Sequence, residues 1–256
     1  MKTKRLISLL LVIVMLVCAL TSCSTSPQAI VEKADKALAD TPYKLDVDMD
    51  LEADDKYLEM LSALDIKQTI YMDGTNFETT LDLGALIPGV EGVDMKTTLT
   101  HYDSVAYLNV SVFGFPIKNK AQLESVDVEE LLGSVGMMDI GALDFDSLAI
   151  EKEGDAGLVV KCTNIKADKL TEFSKEIGGE DFSIENVNLD ATIVDGKYKN
   201  ITVSMVYKFD VSGEKFDVDA KMTMDFDYEN AKEITAPADK DQYNEVNFDK
   251  LFDMGF

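Results

Sequence analysis

The sequence predicts an α+β fold: a strongly curved antiparallel sheet of about ten strands, a half-open barrel, with amphipathic helices over its concave face. Three observations predict it. Apolar and charged residues alternate with a period of two over long stretches. Tight-turn residues separate those stretches. Short runs with helical spacing stand before the first strand and between later ones.

The chain opens with Lys2, Lys4 and Arg5, then an apolar run from Leu6 to Leu20, then Thr21-Ser22-Cys23. The run is 15 residues, short of the roughly 20 that span a bilayer, so it reads as an export signal. A small residue directly before a cysteine, with Leu20 three positions ahead of it, resembles the lipobox of bacterial lipoproteins. That resemblance implies cleavage before Cys23 and a diacylglyceryl thioether on its sulfur, carrying palmitate-type acyl chains. Residues 1–22 are then a signal peptide, 23–26 a lipidated tether and 27–256 a single domain on the outer face of the cell membrane. Each buried methylene of such an anchor contributes about 0.8 kcal/mol, and more than one chain makes it durable.

Ser26-Pro27 supplies a cap and a proline at the first helical position. Ala29, Ile30, Ala34, Ala37 and Leu38 recur at helical spacing until Thr41-Pro42 stops the helix. The period then switches to two. Tyr43, Leu45, Val47, Met49 and Leu51 alternate with Lys44, Asp46, Asp48, Asp50 and Glu52. Further strands are expected at Ile66–Asp73, Asn76–Leu83, Val93–His101 and Ser104–Val112, forming an antiparallel meander. Residues 119–146 break the pattern: a short helix is expected from Asp127, followed by an apolar, glycine-rich segment carrying Met137 and Met138. Strands resume at Ser147–Glu153 and Gly157–Ile165. Asp168 then caps a helix through Leu170, Phe173 and Ile177. Three long strands follow at Ile184–Val194, Tyr198–Val211 and Lys215–Tyr228, with Asp195-Gly196 a strong hairpin signal.

Without residues 1–22, 21 Lys and Arg face 48 Asp and Glu over 234 residues. Such a balance excludes nucleic acid as a partner, because phosphates need a basic surface. It also argues against adhesion to anionic lipid through the protein surface. The length suits one sizeable domain or two halves sharing a sheet. Cys162 is the one cysteine left after Cys18 and Cys23, so no internal disulfide is expected, and its strand pattern reads as a buried apolar thiol.

Enzymatic chemistry finds no support. His101 is the single histidine, read as a solvated side chain at a strand end, and no Gly-x-Ser-x-Gly elbow occurs. One thiol and one imidazole are too few for zinc, and no phosphate loop is present. Asp46-x-Asp48-x-Asp50 resembles the start of a calcium loop, but Leu51 stands where glycine is needed and Tyr57 where the bidentate glutamate belongs. No catalytic residue, metal or cofactor is therefore expected. The remaining candidates are apolar. Met49, Leu51, Ile70, Met72, Met95, Met205, Met222, Met224 and Phe226 fall on predicted inward faces, and methionine suits promiscuous apolar surfaces.

The layout of lipobox, helix, long meander and the late Ile234-Thr235-Ala236-Pro237 exit resembles the half-barrel lipoproteins of the LolA/LppX type. The likeness covers nearly the whole chain after the signal and matches no binding motif residue by residue. It implies a carrier that holds a lipid or other apolar ligand between sheet and helices. The competing expectation is a non-enzymatic scaffold of the cell envelope whose acidic face binds a protein partner.

Overall fold

The structure is a computed structural model that describes residues 26–53, 66–82, 95–124, 145–154, 157–165, 182–211 and 214–251. Leu20 to Cys23, the helices expected after Asp127 and Asp168, and Met137 and Met138 lie outside these residues.

Helix α1 (Pro27–Asp40) forms where capping and spacing require it. The Ser26 hydroxyl accepts a hydrogen bond from the Ala29 amide at 3.2 Å, and Pro27 lacks the N–H that the first turn cannot use. Thr41, forced to extended geometry by Pro42, ends it. Val31 and Ala34 are buried, with Ile30 and Leu38 packed beside them.

Two antiparallel meanders make up the sheet. The first runs through β1 (Tyr43–Ala53), β2 (Ile66–Asp73), β3 (Asn76–Asp82), β4 (Met95–Tyr102), β5 (Val105–Val112) and β6 (Phe115–Gln122). The second runs through β7 (Phe145–Gly154), β8 (Gly157–Ile165), β9 (Phe182–Val194), β10 (Lys197–Val211) and β11 (Glu214–Asp227). They are joined by β1 and β11, which pair antiparallel from Lys44↔Asp227 to Ala53↔Val218. A short β12 (Asn244–Glu245) adds to β6 in parallel, so the order is β12-β6-β5-β4-β3-β2-β1-β11-β10-β9-β8-β7. The sheet is open, with β12 at one edge and β7 at the other.

Twelve strands replace the expected ten. β6 is the first addition, and it takes the start of the segment read as a break at 119–146; β12 is the second. One helix, α1, is described on the inner face, where several were expected. It packs on β10 and β7, and the Tyr198 hydroxyl donates to Asp35 Oδ1 at 2.7 Å.

Alternation holds wherever the strands are regular. Bulges interrupt it between Tyr198 and Asn200 and between Ser204 and Val206 opposite β9, and a further register shift lies between Ile150 and Lys152 on β7. Each extra residue shifts the parity, so buried Tyr198 and Ile201 stand three apart, as do buried Ile184 and Val187. The core cluster takes in inner-facing residues from β6 (Ala121) to β8 (Val160, Cys162) together with α1.

The C-terminal segment works on both faces. Lys232 pairs with Glu78 at 2.5 Å and lies 4.1 Å from the Tyr71 ring centre. Ile234 is buried, and Tyr243 packs edge-on against outward-facing Tyr107. Lys118 binds Asp239, which holds that carboxyl below its usual range. After β12 the Val246 amide donates to the Lys120 carbonyl, and Leu251 ends fully buried in the inner-face cluster. The segment thus passes from the outer face round the β6 edge.

Candidate ligand face

Register alone assembles the inner face of β2, β1, β11 and β10. Across β1 and β11, Met49 stands opposite Met222, Leu51 opposite Ala220, Val47 opposite Met224 and Leu45 opposite Phe226. On the other side of β1, Tyr43 meets Met72 and Leu45 meets Ile70. Across β10 and β11, Met205 meets Ala220 and Val203 meets Met222. Met49, Leu51, Ile70, Met72, Met205, Met222, Met224 and Phe226 are therefore brought together on neighbouring strands. Met95 stands apart on β4, opposite Val112, and its side chain is outside the described residues.

Burial is graded along this face. Ile70 is 0 % exposed and Met72 3 %, and both belong to the close-packed cluster with Met205 and Met224. Leu51, Met222 and Phe226 are partly buried against it, and Met49 is half-buried. The closed end is aromatic: the rings of Tyr43 and Phe226, Tyr198 and Phe226, and Tyr43 and Tyr228 lie 5.6, 5.9 and 6.0 Å apart. Burial pushes the Tyr43 phenol well above its usual range and that of Tyr228 up to about 12, so both are neutral at physiological pH. The other end carries Met49, Leu51, Met222 and half-buried Tyr207, a phenol also raised by burial. This end offers apolar and sulfur surface in reach of solvent.

A groove of about 700 Å³ runs across β1, β11, β10 and β9. Asp50, Glu52 and Asp219 bring carboxylates to it, Lys221 an ammonium, and Asn186 and Asn188 amides. Asn186 takes a left-handed conformation, φ 54°, in the β9 bulge. Sequence alternation finds the charged members of this groove, but the bulge that brings in Asn186 leaves no periodic signal.

His101 differs from its expected solvated position. It is 2 % exposed, packs 5.6 Å from the Phe77 ring and sits beside Ala106 in the register. Its Nδ1 lies 2.7 Å from the Thr75 carbonyl, which can only accept, so Nδ1 carries the hydrogen. The inward parity of β4 carries it under the core edge, which a turn-based reading misses. Cys162 is fully buried opposite Leu148 and Leu189. Burial, with Asp190 and Asp35 adding to it, pushes its thiol up to about 12. Asp46 accepts from Thr69 Oγ1 at 2.7 Å and pairs with Lys44 at 2.5 Å, alternating with buried Tyr43 and Leu45 as one outward residue of a strand.

No protein-family model matches the chain, and a search of curated proteins returns no match.

Proposed function

We propose that this chain is a lipid-anchored extracytoplasmic protein that binds a lipid or another apolar molecule on the inner face of its sheet. The observation that carries the reading is the graded apolar face: Met49, Leu51 and Met222 continue the packed cluster of Ile70, Met72 and Met224 into half-buried ground. A sheet that only covered a core would gain by closing such residues off, since each fully buried large side chain contributes about 1.5–3 kcal/mol. Methionine and leucine there can adapt to acyl chains of differing shape. The half-open barrel, further helical cover and the anchor at Cys23 belong to this proposal, as does its non-enzymatic character. Native mass spectrometry and organic extraction of protein made in its own host test it. A bound apolar species is expected, lost from a Leu51→Asp/Met222→Asp variant; ligand-free protein with a dry, filled face sinks it. Replacing Cys23 by Ala tests the anchor, and the protein should move from the membrane to the soluble fraction.

A second reading has its own observation. The groove with Asp50, Glu52 and Asp219 suits a cationic segment of a protein partner. It predicts association that weakens steeply with salt and survives Met222→Asp, a residue outside the groove lining.

A further inference from the structure

Among the described residues, the hairpin turns follow a rule with one exception. β2–β3 turns on Gly74, β4–β5 on Asp103-Ser104 and β9–β10 on Asp195-Gly196, all residues that tolerate positive φ and water. The β5–β6 turn instead places Phe113 at φ 51°, followed by Gly114 at φ 80°. Phe113 is 68 % exposed and Phe115 77 %, and these are the large apolar side chains that the described residues leave in solvent. A left-handed phenylalanine is costly for the backbone, and two exposed rings gain nothing from the fold. Val112 and Pro116 extend the apolar tip on either side.

Charge singles out the same hairpin. The chain has 48 acidic residues, yet none falls between Val105 and Gln122; the carboxylates that approach this hairpin, Asp239 at Lys118 and Glu245 at Lys120, sit further along β6 and not at the tip. Lys96, exposed on β4, pairs with Ser111 just behind the tip. A tip without carboxylates of its own meets less repulsion from anionic lipid than the acidic strand faces do. Its position is also distinctive. Gly74, Asp103-Ser104 and Asp195-Gly196 turn at the end of the sheet where Tyr43 and Tyr198 lie, whereas Phe113-Gly114 turns at the opposite end, the one where β1 finishes beyond Leu51.

We infer that Phe113 and Phe115 form a second membrane contact, dipping into the bilayer interface in addition to the lipid anchor. The inference rests on the anchor at Cys23. From that cysteine, Ser24 to Ser26 lead into α1, a span of at most about 14 Å, which holds the domain against lipid. Phenyl rings enter the headgroup–acyl boundary favourably, and Lys96, exposed behind the tip, can meet lipid phosphate. The tip fixes how the domain stands on the membrane and turns the half-buried Met49–Leu51 end of the inner face towards it.

The chain contains no tryptophan, so Phe113→Trp and Phe115→Trp each give a single reporter. Full-length acylated protein is reconstituted in phosphatidylcholine–phosphatidylglycerol vesicles, floated, and read by emission wavelength and by quenching with brominated lipids. Thr75→Trp, at an exposed turn of the opposite end, is the comparison. Blue-shifted emission quenched by brominated lipid is expected at 113 and 115, with water-like, unquenched emission at 75. If Phe113→Trp fails to fold at its left-handed position, Phe115→Trp, in regular strand geometry, carries the measurement. Protein that floats with position 115 still in water overturns the tip contact and leaves the anchor standing. Protein that does not float overturns the anchor, and this inference with it. Shielding at 115 that appears only when a protein partner is added, and not with vesicles, also overturns it.

Discussion

At the residue scale, Ile70, Tyr198 and Cys162 show how packing sets the properties of single groups. Ile70 has no exposure and sits beside Leu45 in the register. Ile70→Ala should cost about 2–5 kcal/mol, read as a shift of the urea midpoint with unchanged slope. Tyr198→Phe keeps the ring against Phe226 and removes the hydrogen bond to Asp35. A loss of roughly 1 kcal/mol is expected. Cys162, with its thiol pushed up to about 12, should resist iodoacetamide at pH 8 in the native protein and react once urea unfolds it. The same shifts set an alkaline limit. The thiol and the buried phenols of Tyr43, Tyr228 and Tyr243 hold their protons more tightly folded than unfolded. Their contribution is complete below the unfolded values, about 9 for the thiol and 10 for the phenols. Above those values the unfolded chain loses protons first, so stability falls as pH rises towards 12. Urea midpoints measured between pH 8 and 11 should decline, and a flat profile would contradict this.

At the element scale, Gly157 and the C-terminal segment are the points where one small change has a large effect. Gly157 adopts φ 105°, and a Cβ there would lie 2.6 Å from the Ile193 carbonyl oxygen of the neighbouring strand. Gly157→Ala should cost on the order of 1–3 kcal/mol through conformation alone, with the clash added, and calorimetry reads the fall. A chain ending at Asn230 loses β12, Tyr243 and Leu251 together. It should melt lower and associate through the bared β6 edge, which light scattering detects; a stable, monodisperse product would argue against the edge-covering role. Most strands were legible in the sequence because one face is solvated and the other packed, as in β1 and β11. β6 was not, since Asn119 stands at an inward position in a run that opens on the unusual turn Phe113-Gly114. β12 is two residues long and exists because the tail brings it to β6, a tertiary cause that no local pattern records. For the ligand face, alternation correctly grouped eight residues on one surface. It could not grade their burial, because that depends on what α1 and the neighbouring strands cover.

At the scale of the whole molecule, charge and topology dominate. A formal charge of −24 makes the compact state repel itself, so moderate salt should raise the melting temperature as screening shortens the Debye length to about 8 Å at 0.15 M. The two meanders meet at β1 and β11, where Lys44 pairs with Asp227. That ladder has a temporal meaning. The ribosome must have passed Asp227 before the central seam of the sheet can form, because β11 closes the second meander. Loop closure over such a separation is slow, and until it happens the first meander has an unsatisfied border at β1. A polypeptide arranged this way cannot close its sheet from the N-terminal end as it emerges: the first meander waits for the second, and the two commit to the final shape together.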